Sequence, residues 1–156
     1  MAAYPKLSFG VPSAGWLPVR LELEGKALEF AASDALADPI EQLCNSLLDI
    51  AAGRESKTDW FLEPDSYEFS FSLAEERVTL NVDLVERRTL NLQDLPQKRS
   101  CVFSWSGPPS SIVTSFWRGL KKLEHAQVPD KQWPWPFPVA LFDKVEERAL
   151  QYNYEG

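Results

Sequence analysis

The sequence is poor in the residues from which most small catalytic and metal sites are built. Among 156 residues there is one histidine, one methionine, seven glycines and two cysteines. A single histidine excludes every metal set that needs a His pair, and Cys44 and Cys101 stand too far apart for a Cys-x-x-Cys pattern. The two thiols can form at most one bridge and are expected to be free. The glycines never gather into a phosphate loop, and no Gly-x-Ser-x-Gly elbow is present. A serine triad would have to recruit His125, which stands beside Lys121 and Lys122 and reads as a solvated residue in the last turn of a helix. No catalytic template is met, so a protein that is not an enzyme and needs no cofactor is expected. No uninterrupted apolar stretch approaches the ~20 residues of a membrane-spanning helix. The opening Met1 to Lys6 lacks the apolar segment of an export signal, which makes the cytoplasm the expected compartment. Basic charge is also in deficit, with 16 Lys and Arg against 23 Asp and Glu. Phosphate binding relies on cations displacing counterions, so nucleic acid is not an expected partner, and neither is a membrane.

What is present suffices for one folded domain over 1–156. Apolar residues make up 44% and aromatic ones 12% of the chain, enough to build a core at this length without a staple. Residues 1–18, with three prolines and two glycines, read as an irregular arm anchored by Trp16 and Leu17. Val19, Leu21 and Leu23 then alternate with polar residues, turn at Glu24-Gly25 and resume at Leu28, Phe30 and Ala32. That hairpin sets Leu21 opposite Leu28 and Arg20 opposite Glu29. Asp38-Pro39-Ile40-Glu41 starts a helix, with Asp38 as cap and Gly53 as stop, and Cys44 lies on its apolar face. A short strand follows over 58–63. The clearest feature is a second hairpin in which Tyr67, Phe69, Phe71 and Leu73 face Val78, Leu80, Val82 and Leu84 around Glu75-Glu76. A strand over 98–105 carries Cys101, Phe103 and Trp105 on one side. Helices are expected near 110–126 and 139–151, the second burying Val139, Phe142, Val145 and Ala149. Between them, 127–138 is a Trp/Pro-rich loop that cannot be helical, because alternate residues of Trp133 to Pro138 are proline. These elements predict an α+β fold: an antiparallel sheet of about five or six strands with helices packed on one face.

Two groups of residues stand out as candidate partner-binding positions. Residues 1–97 hold 8 basic against 17 acidic side chains, whereas 98–156 hold 8 against 6. The acidic excess serves solubility or attracts a basic partner. If both hairpins join one sheet, its open face displays Arg20 with Glu22, Glu24, Glu29, Glu68 and Asp83. The hairpin register puts Glu68 directly opposite Asp83. Such a pair is a solvated face, a seat for a partner's Lys or Arg, or a metal or acid/base site. The second group is Trp133, Trp135 and Phe137, which either cap the core or contact a partner. Most other tryptophans, including Trp16, Trp60, Trp105 and Trp117, fall on core stripes.

Over residues 17–90, the order of opening hairpin, helix from Asp38 to Gly53, Trp strand from Trp60 to Pro64 and aromatic hairpin from Tyr67 resembles small bacterial immunity proteins of polymorphic and contact-dependent toxin systems. The resemblance implies a cytoplasmic, non-enzymatic inhibitor that binds one toxin domain, and it supplies no catalytic residues. The partner expected from the charge is basic and nuclease-like. The binding residues expected are Glu22, Glu24, Glu29, Glu68, Asp83, Trp133, Trp135 and Phe137. The alternatives are a small-ligand or metal-binding module around Glu68 and Asp83, and a non-catalytic adaptor domain that uses the Trp-Pro segment.

Overall fold

The computed structural model describes residues 3–89, 95–126, 128, 129 and 131–155. Its strands are β1 (Lys6–Phe9), β2 (Trp16–Leu23), β3 (Lys26–Ser33), β4 (Ser56–Phe61), β5 (Ser66–Ala74), β6 (Arg77–Glu86) and β7 (Lys98–Gly107). Helix α1 (Pro39–Ala51) lies between β3 and β4, while α2 (Pro109–His125) and α3 (Val139–Glu155) follow β7. The fold is α+β, as expected, but the strands form two antiparallel sheets instead of one. Strands β1-β2-β3 make the first sheet and β4-β5-β6-β7 the second. Alternation reveals which face of a strand is buried; it does not say which strands pair. Between β3 and β4, side chains take the place of a hydrogen-bond ladder. Phe30 of β3 lies 5.9 Å from Trp60, 4.7 Å from Tyr67 and 6.4 Å from Phe69, ring centre to ring centre.

Within each sheet the expected registers hold. Leu21 faces Leu28 and Arg20 faces Glu29; Phe71 faces Leu80 and Glu68 faces Asp83. Both hairpins close through two-residue turns with positive φ, Glu24 and Gly25 at 50° and 81°, and Glu75 and Glu76 at 51° and 64°. The mirror-image turn matches strand twist, which is why it recurs despite its strain for non-glycine residues.

Several expectations are corrected. The arm over 1–18 is not wholly irregular: Lys6–Phe9 pairs antiparallel with β2, and Leu7 is buried. The strand expected over 58–63 begins two residues earlier and ends at Phe61. A register shift between Val82 and Asp83 breaks the alternation of β7, so Phe103 and Trp105 share the apolar face while Cys101, opposite Asp83, is exposed on the polar one. A bulge of this kind leaves an extra residue unpaired and reverses the faces beyond it. Trp16 is 36% exposed, Trp105 is half-buried, and Val139 lies on the outside of α3.

The three helices pack on one another and on the apolar side of the strands. Asp38 caps α1 by accepting from the Ile40 amide, and Pro39 occupies its first turn. Ser46 of α1 bonds the hydroxyls of Ser56 and Thr58 on β4. Phe116 of α2 meets Phe71 of β5, and Gly119 lets α2 approach β1 so closely that a Cβ there would drive into the Leu7 carbonyl oxygen. Glu146 of α3 accepts from Trp117 and Lys121 of α2, joining the two helices.

Candidate functional site

The residues expected to form one acidic surface are divided between the two sheets. In the first, Arg20 lies between Glu22 and Glu29 and bonds both, while Glu24 stands exposed at the β2–β3 turn. In the second, Glu68 and Asp83 are adjacent, as the register requires, but a cation of the same chain already joins them. Arg99 Nη1 lies 2.9 Å from Glu68 Oε1 and 3.3 Å from Asp83 Oδ2. Ser70 donates to the same Glu68 oxygen, and Lys57 Nζ stands 3.8 Å from the other. Glu68 is only 8% exposed. Its desolvation raises the carboxyl pKa, but the Arg99 hydrogen bond and the charges of Arg99 and Lys57 outweigh it and hold Glu68 below the ordinary value.

Asp59 sits opposite Glu68 on the other side, so Asp59, Glu68 and Asp83 form a row across β4, β5 and β6. Burial raises the Asp59 pKa, with Lys57, Arg87 and Arg99 pulling it down and Glu68 pushing it up. Glu68 and Asp83 are therefore a pair already bridged by Arg99, not one awaiting a cation, while burial keeps Asp59 above its ordinary value. Sequence reasoning missed Arg99, whose signal was its place at the start of the strand next to Asp83. Beyond the network the polar face continues as a hydroxyl and amide ladder, with Ser104 bonded to Asn81 and Thr79 to Ser106. Among the described residues no group of three or more His, Cys, Asp or Glu is placed to hold a metal ion.

Acidic and aromatic groups do meet elsewhere. The 131–138 segment crosses the end of the core beside the start of α1 and the end of α2. Trp133 is 9% exposed, and Trp135 and Phe137 are half-buried. Trp135 donates its indole N–H to the Asp34 carbonyl at 2.8 Å, and Phe137 packs edge-on against Phe142 of α3. These contacts identify the segment as a core cap, one of its two expected roles. Trp133, Trp135 and Phe137 line a cleft of about 130 Å³ together with Leu17, Ile40, Leu123 and Val128.

Asp38 and Glu124 also line that cleft, and Glu41 joins Asp38 in the adjoining depression over Trp135 to Leu141. No Lys, Arg or His is among the described residues lining either hollow. Asp38 is 7% exposed, and burial pushes its carboxyl up to about 6. The Ile40 and Glu41 amides oppose that rise, and the Glu41 charge adds to it. The contrast with Glu68 is physical: both carboxylates are shielded from water, but only Glu68 has a cation. Of the aromatic residues expected to bind a partner, all three border this cleft; none of the five expected carboxylates does. Asp38 was legible only as a helix cap.

No protein-family model, curated protein or solved structure matches the chain.

Proposed function

We propose that this protein is an immunity-type inhibitor: a cytoplasmic, non-enzymatic protein that binds and neutralises a basic, nuclease-like toxin domain. The observation that carries the reading is the cleft at the end of the core, where Trp133, Trp135 and Phe137 stand beside Asp38, Glu41 and Glu124. Rigid aromatic groups next to unneutralised carboxylates are what binding a basic protein surface requires: the rings supply contact area and slow release, and the carboxylates speed encounter. On the first sheet, exposed Glu24 and the Glu22–Arg20–Glu29 group, two carboxylates sharing one cation, add net negative charge to the attractive field. Glu68 and Asp83 are less suited to the task, since a partner's cation would have to compete with Arg99.

A small-molecule module is less well supported. The cleft itself, about 130 Å³, is well short of the roughly 300–1,000 Å³ of ordinary ligand pockets, and the adjoining depression over Trp135 to Leu141, about 470 Å³, is a shallow hollow open to solvent rather than an enclosed pocket. The test is co-expression with the product of the adjacent reading frame of the source genome. Restored growth of cells that the neighbour alone kills, with co-elution of the two proteins, is expected. A harmless neighbour, or a toxic one that neither binds nor is neutralised, refutes the reading.

A further inference from the structure

We propose that the Trp133–Phe137 cleft seats one arginine side chain of the partner protein, its guanidinium laid against the aromatic wall and facing the Asp38 carboxylate. The inference rests on the partner-binding reading and names the chemical group recognised.

Three features favour that occupant. The first is charge: the ionisable groups lining the two adjoining hollows, Asp38, Glu41 and Glu124, are all acids among the described residues. The second is acceptor capacity. The Asp38 carboxylate accepts from the Ile40 amide at 3.0 Å, and an ionised carboxylate offers about four acceptor sites, so room for a charge-assisted bond remains. Burial without a cation already disfavours its charged form, and an incoming cation would reverse that penalty.

The third feature is the wall. Indole and phenyl faces attract cations, and guanidinium is preferred to ammonium because it is planar, weakly hydrated and stacks on rings. The wall is set in advance: Trp135 is fixed by its bond to the Asp34 carbonyl and Phe137 by its contact with Phe142. At about 130 Å³ the cleft has room for a planar cationic head group.

The experiment uses the full chain, labelled with nitrogen-15, and follows the indole N–H resonances of its six tryptophans. The probe is N-acetylarginine amide, with N-acetylcitrulline amide as its uncharged isostere and choline as a free small cation. A fragment of this size binds with a Kd on the order of 1 mM or weaker. Arginine amide is expected to shift the Trp133 and Trp135 signals saturably and leave Trp60 unmoved, while citrulline amide has at least a fivefold weaker effect. Asp38→Asn, in which asparagine still caps the helix, is expected to weaken arginine binding at least fivefold, and Glu124→Gln to weaken it less.

Equal response to citrulline, stronger response to choline, or shifts spread over all six indoles would overturn the proposal. So would unchanged arginine binding in folded Asp38→Asn. If that variant does not fold, the citrulline comparison on the unaltered chain decides alone. Arginine binding without a neutralised toxin would sink the immunity reading and spare the site, whereas a neutralised toxin without arginine binding would do the reverse.

Discussion

The sharpest consequence of the cleft is that Asp38 is held at some expense to stability. Burial pushes its carboxyl from the ordinary 3.8 to about 6. The folded state therefore binds this proton more tightly than the unfolded state, and the Asp38 contribution to stability falls as pH rises from about 4 to about 6. Above that window the loss is complete, at most about 3 kcal/mol for the full shift. Because the carboxylate borders an open cleft, solvent screening reduces this to about 1–2 kcal/mol. Asp38→Asn removes the charge and keeps the cap, since asparagine and aspartate cap helices about equally.

The variant is thus expected to be about 1–2 kcal/mol more stable than the natural chain near neutral pH, a gain of roughly 3–6 °C in Tm for a chain of this length. By about pH 4 the difference should shrink to about 0.5 kcal/mol or less. Urea unfolding of both proteins, followed by tryptophan fluorescence at the two pH values, measures it, and titrations common to both chains cancel in the difference. A variant that is destabilised equally at both pH values would refute the reasoning. It would show that contacts of the carboxylate outweigh its desolvation.

Five further outcomes are expected. Arg99→Met leaves Glu68 buried without its main partner and should cost about 2–4 kcal/mol, most of it recovered by adding Glu68→Gln, as a double-mutant cycle in urea would show. Because Glu68 is held below its ordinary pKa, its stabilising contribution is present at neutral pH and lost as pH falls through the folded-state value; Arg99→Met should flatten that acid limb. Gly119→Ala, although favourable for helix propensity by about 1 kcal/mol, should lower stability by about 2 kcal/mol or more in thermal unfolding, because α2 must move off the Leu7 carbonyl. Replacing Glu75-Glu76, both at positive φ, by Asn-Gly should stabilise the β5–β6 hairpin by about 1–2 kcal/mol, and an unchanged urea midpoint would count against strain there. A thiol reagent should modify one cysteine quickly in the native protein: Cys101 is exposed, whereas Cys44 is buried and its thiol is pushed up to about 12, so its reaction should await unfolding.

By itself the sequence determined the elements and their local geometry. Alternation, caps and turn residues act over a few positions, so the Leu21–Leu28 and Phe71–Leu80 registers, the Asp38 cap and the burial of Phe142, Val145 and Ala149 on α3 were all legible. The folded chain alone decided how the strands gathered. Nothing local to β3 or β4 tells that aromatic side chains, rather than a ladder, join the sheets there. The bulge that exposes Cys101 is likewise a matter of pairing between β6 and β7. The candidate site shifted for the same reason. Glu68 and Asp83 were correctly paired across two strands, but the third strand brought Arg99 to neutralise them. Asp38, read as a helix cap, gained a second environment when residues nearly a hundred positions later laid Trp133, Trp135 and Phe137 beside it. Periodicity reports which side of an element meets the core, whereas the charge state and company of a side chain depend on contacts distant in sequence, which only the three-dimensional packing supplies.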